Sequence, residues 1–129
     1  MSLRTAAKGD VVVVSPEGML MGGDETQRLE NELRGLIAHG QKKILLDLGR
    51  TRHLSSIAIG SLVGVRLNAA NNGVAFYACN VDKRIENILT IFKLVNVLNV
   101  FGTADEALEA LAKVDPARIE KPPGAGPAA

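Results

Sequence analysis

The side chains with the greatest chemical potential are few and lie far apart along the chain. His39 and His53 have no second ligand at the spacing of a metal site, and Cys79 is the only cysteine. Cys79 lies in an apolar segment, where a thiol stays protonated and unreactive. Asp47 ends another apolar segment, and we expect its carboxylate to accept a hydrogen bond from the following loop. These residues predict no catalytic centre, no bound metal and no cofactor.

Two short polar segments precede predicted helices. Gly22, Gly23 and Asp24 could form an anion-binding turn. The P-loop string Gly-x-x-x-x-Gly-Lys-Ser/Thr is missing, so a plain turn with Asp24 as the helix N-cap is favoured. Ser55 and Ser56 precede a second helix. A serine at this position usually caps the helix by accepting a hydrogen bond from one of its first free N–H groups.

Apolar spacing predicts the elements that carry these segments. Strands are predicted over residues 11–14, 18–21, 43–48, 74–79 and 97–100, and a loop over residues 49–54. Helices are predicted to start at Asp24, after Ser55-Ser56, after Asn80 or Asp82, and at Thr103, where Thr103 and Glu106 have capping-box spacing. Their apolar faces are Leu29, Leu33, Leu36 and Ile37; Ile59, Leu62, Val63, Leu67 and Ala70; Ile85, Ile88, Leu89 and Phe92; and Ala107, Leu108 and Leu111. This alternation indicates a largely parallel sheet with right-handed crossovers.

The composition excludes several function classes. The 129 residues, 47% hydrophobic and 22% charged, suit one packed domain. A net charge of +1, an aromatic content of 3% and the lack of a basic cluster argue against direct nucleic-acid binding. The apolar run over residues 57–65 is far short of the roughly 20 residues that span a membrane. With no signal-peptide pattern and a lone cysteine, we expect a cytoplasmic protein.

Several strings, in this order, resemble the STAS family of bacterial anti-sigma-factor antagonists. Residues 16–20, Pro-Glu-Gly-Met-Leu, resemble the second strand of that family, and residues 44–48, Ile-Leu-Leu-Asp-Leu, resemble its central strand. Residues 53–60, His-Leu-Ser-Ser-Ile-Ala-Ile-Gly, stand where the family has Asp-Ser-Ser-Gly-Leu-Gly. Residues 94–101 and 104–111 resemble its closing stretch and last helix. The resemblance covers about residues 10–113.

The resemblance implies an α/β fold with one STAS-like domain. We expect a four- to five-stranded mixed sheet, with about four helices packed mainly on one side. Residues 1–9 are then an N-terminal extension, residues 10–114 the domain, and residues 115–129 a disordered tail rich in proline and glycine.

The resemblance also implies a function without catalysis. Members of the family bind a serine kinase that is also the anti-sigma factor, and so free the sigma factor. The kinase phosphorylates a serine at the start of helix two, and a PP2C-type phosphatase reverses the modification. That serine corresponds to Ser56, with Ser55 as the alternative. The protein could also form a homodimer. The implied partner surface comprises Met21, Gly23, Asp24, Leu54, Ser55, Ser56, Ile57 and Gly60.

Three residues depart from the family pattern. Leu54 and Met21 replace acidic residues, and Ile57 replaces a glycine, so apolar groups surround the candidate serine. These departures bear on whether the serine is phosphorylated, and two alternative functions are kept open. One is a STAS module that is not phosphorylated and acts as a scaffold or constitutive binding subunit in a signalling assembly. The other is a module that binds a small ligand or nucleotide.

Overall fold

A mixed six-stranded sheet forms the centre of the computed structural model, which describes residues 2–118. Its strands are β1 (Ser2–Lys8), β2 (Val11–Leu20), β3 (Lys43–Asp47), β4 (Thr51–Leu54), β5 (Ala75–Cys79) and β6 (Val100–Phe101). The order across the sheet is β1-β2-β3-β5-β6, and β4 pairs with the far end of β2. Only β1 is antiparallel to its neighbour. The predicted mixed α/β fold is therefore confirmed, and β1 and β4 raise the strand count above the expected four to five.

Strand β1 lies in the segment that the sequence analysis assigned to an N-terminal extension. All seven of its residues pair with β2, from Ser2 opposite Glu17 to Lys8 opposite Val11. The tight turn between the strands uses Gly9 at a φ of 62°, a conformation that glycine adopts without a steric penalty. This part of the chain is therefore an integral edge of the sheet.

Strand β4 corrects the prediction of a loop over residues 49–54. Thr51–Leu54 runs parallel to the end of β2, and the buried Thr51 hydroxyl donates a hydrogen bond to the Pro16 carbonyl oxygen over 3.2 Å. The two strands predicted over residues 11–14 and 18–21 are one continuous strand, β2. Its first half pairs with β3 and its second half with β4, so β2 is long enough to bridge the core and the candidate site.

Five α-helices cover the two faces of the sheet. They are α1 (Asp24–Ala38), α2 (Ser56–Asn71), α3 (Lys83–Ile91), α4 (Val95–Leu98) and α5 (Ala104–Ala112). Helices α1 to α4 share one buried cluster with Ile44, Leu46 and Phe76, and α5 packs on the opposite face against Leu45 and Ala75. Strand β3 is buried on both faces, as predicted for the central strand.

Helix ends explain most of the remaining differences. Asp82 and Thr103 cap α3 and α5 as predicted, but Gly23 is the N-cap of α1, and Asp24 is its first residue. The short strand predicted within residues 95–101, over residues 97–100, is found slightly later, as β6 (Val100–Phe101), because Val95–Leu98 forms α4 and Asn99 turns the chain with a φ of 52°. Pro116–Arg118 forms a 3-10 turn, and the rest of the predicted tail, residues 119–129, lies outside the described residues. Within residues 2–118, no helix has the length and apolarity needed to cross a bilayer.

Candidate functional site

The two serines at the start of α2 have different environments. Ser55 is the N-cap, and its Oγ accepts a hydrogen bond from the Ala58 N–H over 3.1 Å. The Ser55 N–H donates to the Leu20 carbonyl oxygen over 2.9 Å, which anchors this junction to the end of β2. Ser56 is the first helical residue, and its side chain is exposed. The structure thus divides the roles: Ser55 stabilises the helix, and Ser56 leaves its hydroxyl open to another protein.

The turn between β2 and α1 lies beside the serines. Gly22 has a φ of 94°, and its N–H donates to the hydroxyl of the buried Thr26 over 2.8 Å. Ile57 packs against this turn, which explains why a large side chain fits at the position after the serine pair. The expected site residues Gly23 and Asp24 are exposed on the same turn. The predicted site therefore brings together the ends of two strands and the starts of two helices.

Exposed apolar side chains flank Ser56. Met19 is 51% exposed, Met21 57% and Ile57 68%, and we refer to these three residues as the apolar patch. Leu54 belongs instead to the core, because it is only 7% exposed. It was predicted to contact a partner, and it can do so only through the small part of its side chain that lines a neighbouring groove. Such a cluster of exposed apolar residues is a common mark of a protein-binding surface.

A groove of about 200 Å³ opens between the start of α2 and helix α3. Its apolar lining is Met21, Leu54, Ile85 and Ile88, and Ser55, Arg52, His53 and Arg84 complete it. Beside it lies an open hollow of about 830 Å³, whose charged residues are Glu17, Glu25, Arg50, Arg52, Asp82 and Arg84. The sequence analysis did not assign these basic residues to the site. Arg84 lies about 30 positions after the serines in the chain, and only the crossover through β5 brings it near them.

Helix α2 is held against α1 by a polar contact. The Ser61 hydroxyl donates a hydrogen bond to Glu30, whose other oxygen pairs with Arg34 over 2.9 Å. The hydrogen bond from Ser61, followed by that from Arg34, lowers the pKa of the Glu30 carboxyl. Gly60, the remaining predicted site residue, is exposed on α2, and a Cβ there would meet no other atom within 4 Å. Helix α2 is therefore firmly held against α1, and Gly60 leaves space on its exposed side.

The residues with conventional chemistry have structural roles. Asp47 accepts a hydrogen bond from the Gly49 N–H over 2.9 Å, as the sequence analysis predicted. Burial, with a smaller effect of Asp47, raises the pKa of the Cys79 thiol to about 12. Over residues 2–118, no three acidic, histidine or cysteine side chains form a group that could hold a metal ion. These residues therefore support the fold, and the exposed surface at the start of α2 is the candidate functional site.

Comparison with known proteins gives a family match. The model of the STAS domain matches residues 2–107. A Thermotoga neapolitana protein named as an anti-sigma factor antagonist is 30% identical over 70 residues, or 54% of this chain and 62% of that protein. Its Thermotoga maritima counterpart is 24% identical over the same shares. The matched region thus spans less than two thirds of these relatives.

Solved structures share the fold. An anti-sigma factor antagonist from Mycobacterium paratuberculosis has a TM-score of 0.77 at 18% identity, over 87% of this chain and 94% of that one. The Bacillus cell fate determinant SpoIIAA in its phosphorylated form has a TM-score of 0.67 at 14% identity, over 84% of this chain and 98% of that one. At these identities the similarity extends to the fold alone.

Proposed function

Because this chain belongs to the STAS domain family, we propose that it acts as an anti-sigma factor antagonist, a regulatory protein that binds other proteins and catalyses no reaction. In this proposal it works in the cytoplasm and contacts an anti-sigma factor through the start of α2. The observation that carries the proposal is the exposed Ser56 beside the apolar patch, at a helix start that is anchored to the sheet. Such a surface offers both a contact area and a site for modification.

The modification in this proposal is phosphorylation of Ser56 by the anti-sigma factor acting as a serine kinase. The Ser56 Oγ attacks the γ-phosphorus of ATP held by the kinase, ADP leaves, and the hydroxyl proton passes to a base on the kinase. The phosphate adds a charge of about −1.5 to −2. The helix start tolerates this charge, because its free N–H groups and dipole favour anions. A PP2C-type phosphatase then restores the hydroxyl.

Release of the partner follows from the surroundings of Ser56. Met21 and Ile57 are exposed and apolar, so a bound partner would cover them with apolar surface of its own. A phosphate forced into such an interface without a counter-charge is costly, so we infer that the modified protein dissociates. Ser55 is the weaker candidate for modification, because its oxygen already accepts the Ala58 N–H.

A second candidate function has a specific observation in its favour. Met21, Leu54 and Ile57 make the surroundings of the serine apolar, where the family pattern has two acidic residues and a glycine. A kinase adapted to the common pattern could reject this site. The chain would then be a constitutive binding subunit that uses the same apolar patch without a switch.

Intact-mass measurement after incubation with ATP, magnesium and the purified anti-sigma factors of the source bacterium separates the two functions. We expect one phosphoryl group on the unmodified protein and on Ser55→Ala, and none on Ser56→Ala. In calorimetric titrations Ser56→Glu should bind the anti-sigma factor at least about tenfold more weakly, and Ser56→Ala should bind normally. Normal binding of Ser56→Glu together with no phosphorylation would establish the constitutive subunit instead.

A further inference from the structure

The groove between α2 and α3 continues the apolar patch onto helix α3. Met21 lies in both, and Ile85 and Ile88 form the α3 side of the groove. Ile91 lies three residues beyond Ile88, so it extends the same side of the helix, and its side chain is 74% exposed. Exposed apolar side chains therefore lie on both sides of the groove, Met21 on one side and Ile91 at the end of α3 on the other. Groups of exposed apolar residues mark contact surfaces, whereas single exposed apolar residues are ordinary.

The groove has room for one inserted side chain. A closed cavity of about 150 Å³ in another protein holds a benzene molecule. At about 200 Å³, this open groove can accept a leucine or phenylalanine side chain from a partner. Such an anchor in a pocket lined by Leu54, Ile85 and Ile88 is the usual centre of a protein-protein contact.

The charged side chains that line the groove itself, Arg52 and Arg84, are both basic. Arg52, His53 and Arg84 line it, and no carboxylate does. Among the ion pairs of residues 2–118, none involves Arg52 or Arg84, and both side chains are exposed. In the neighbouring hollow, Glu17 pairs with Arg50, and the Asp82 carboxylate accepts the Ile85 N–H as the cap of α3. The two guanidinium groups are therefore available to an anionic partner.

The start of α3 carries charges of both signs. Lys83 and Arg84 begin the helix, and the Asp82 cap and Glu86 supply carboxylates in the same turn. Arg84 forms no ion pair among residues 2–118 and gains nothing from the helix dipole at this end, so its guanidinium group remains open to a carboxylate supplied by a partner.

We infer that the part of the anti-sigma factor that docks here is an acidic amphipathic segment, which inserts one apolar side chain into the groove and places carboxylates against Arg52 and Arg84. This inference rests on the proposed function and adds the chemistry of the partner. A phosphate on Ser56, next to the groove residue Ser55, would also repel the carboxylates of the segment.

Charge reversal tests the inference with the purified anti-sigma factor as the probe. We expect Arg52→Glu and Arg84→Glu each to weaken binding by about tenfold or more, because like charges would then face each other. Lys42→Glu makes the same charge change just before β3, at the opposite end of the sheet, and should bind within about twofold of the unmodified protein. Ile91→Ser should also weaken binding, and melting temperatures should show that all four variants fold.

Salt titration gives a second readout. The affinity of the unmodified protein should fall as the salt concentration rises, and this dependence should be much smaller in the variant that carries both Arg52→Glu and Arg84→Glu. If the anti-sigma factor binds but both reversals leave its affinity unchanged or increase it, the acidic segment is excluded and the proposed function survives. If no anti-sigma factor binds the unmodified protein, both proposals fail. A nucleotide could instead raise the melting temperature of the unmodified protein but not that of Arg52→Glu, while Arg52→Glu still binds the anti-sigma factor normally. That result would show that the groove binds a small anion and not an acidic segment.

Discussion

The Ile57 side chain fills the space into which a Cβ on Gly22 would project. An ideal Cβ at Gly22 would lie 2.8 Å from Ile57 Cγ2 and 3.0 Å from Ile57 Cβ, and Gly22 has a φ of 94°. These two positions are therefore coupled: Ile57 occupies the space that a side chain at position 22 would need, and the positive φ of Gly22 independently favours glycine there.

We predict that Gly22→Ala destabilises the protein by about 2 to 3 kcal/mol, through backbone strain and the contact with Ile57. Gly9→Ala is the matched control, because its φ of 62° is also positive but a Cβ there meets nothing within 4 Å. It should cost about 1 kcal/mol. Ile57→Ala alone should change stability by less than about 0.5 kcal/mol, since Ile57 is 68% exposed. Urea unfolding of the double variant should show partial recovery; strictly additive effects would disprove the coupling.

The two serines should separate in stability measurements. Ser55→Ala removes the oxygen that accepts the Ala58 N–H, and we expect a loss of about 1 kcal/mol in the free energy of unfolding. Ser56→Ala removes an exposed hydroxyl for which no hydrogen bond is found within residues 2–118, so its effect should stay within about 0.5 kcal/mol. Thermal unfolding of both variants measures these two losses. A larger loss of stability for Ser56→Ala than for Ser55→Ala would contradict the assignment of Ser55 as the cap.

The ion pair between Lys43 and Asp10 should make stability depend on pH. Lys43 is 4% exposed, and its Nζ lies 2.9 Å from Asp10 Oδ2. The hydrogen bond from Lys43 holds the pKa of the Asp10 carboxyl below its ordinary value of 3.8. Because this pKa is lower in the folded state, the stabilisation is present above pH 3.8 and is lost as the pH falls through the folded-state pKa. The stability difference between the unmodified protein and Asp10→Asn should therefore shrink in acid; a constant difference would contradict the assignment.

Cys79 should be unreactive until the protein opens. Its thiol is buried, and its pKa is raised to about 12, so almost no thiolate exists near neutral pH. We expect labelling by a colorimetric disulfide reagent at pH 8 to be slow in the native state and fast in denaturant. Urea should accelerate labelling in parallel with unfolding. Rapid stoichiometric labelling of the native protein would show that β5 is accessible.

Long apolar patterns made the core predictable from sequence. Leu29, Leu33 and Ile37 have the spacing of one helix face, and all three are buried in α1. Residues 44–46 are continuously apolar, and they form the strand that is covered on both faces. In both segments the local pattern agrees with the final packing, so periodicity alone was sufficient.

Distant partners decided the elements that sequence could not reveal. Thr51–Leu54 is mostly polar and lacks the alternating pattern of a half-buried strand, and it becomes a strand only because the end of β2 is free to pair with it. Residues 97–100 look like a strand, but burial of Leu98 and the left-handed turn at Asn99 favour helix α4. Arg84 could be placed beside the serines only once the crossover was known. Local propensity is a weak guide wherever tertiary pairing outweighs it.

The direction of β1 bears on how binding assays should be built. Since β1 runs antiparallel to β2, Ser2 lies opposite Glu17, at the end of the sheet where Glu17 and Met19 border the open hollow. Pro116 lies at the other end, near Gly9 and Gly40. An affinity tag or sensor-chip linkage joined directly to Ser2 would therefore emerge beside the hollow and the apolar patch, where it would compete with the partner. A tag joined directly to Arg118 would start from the opposite end of the sheet.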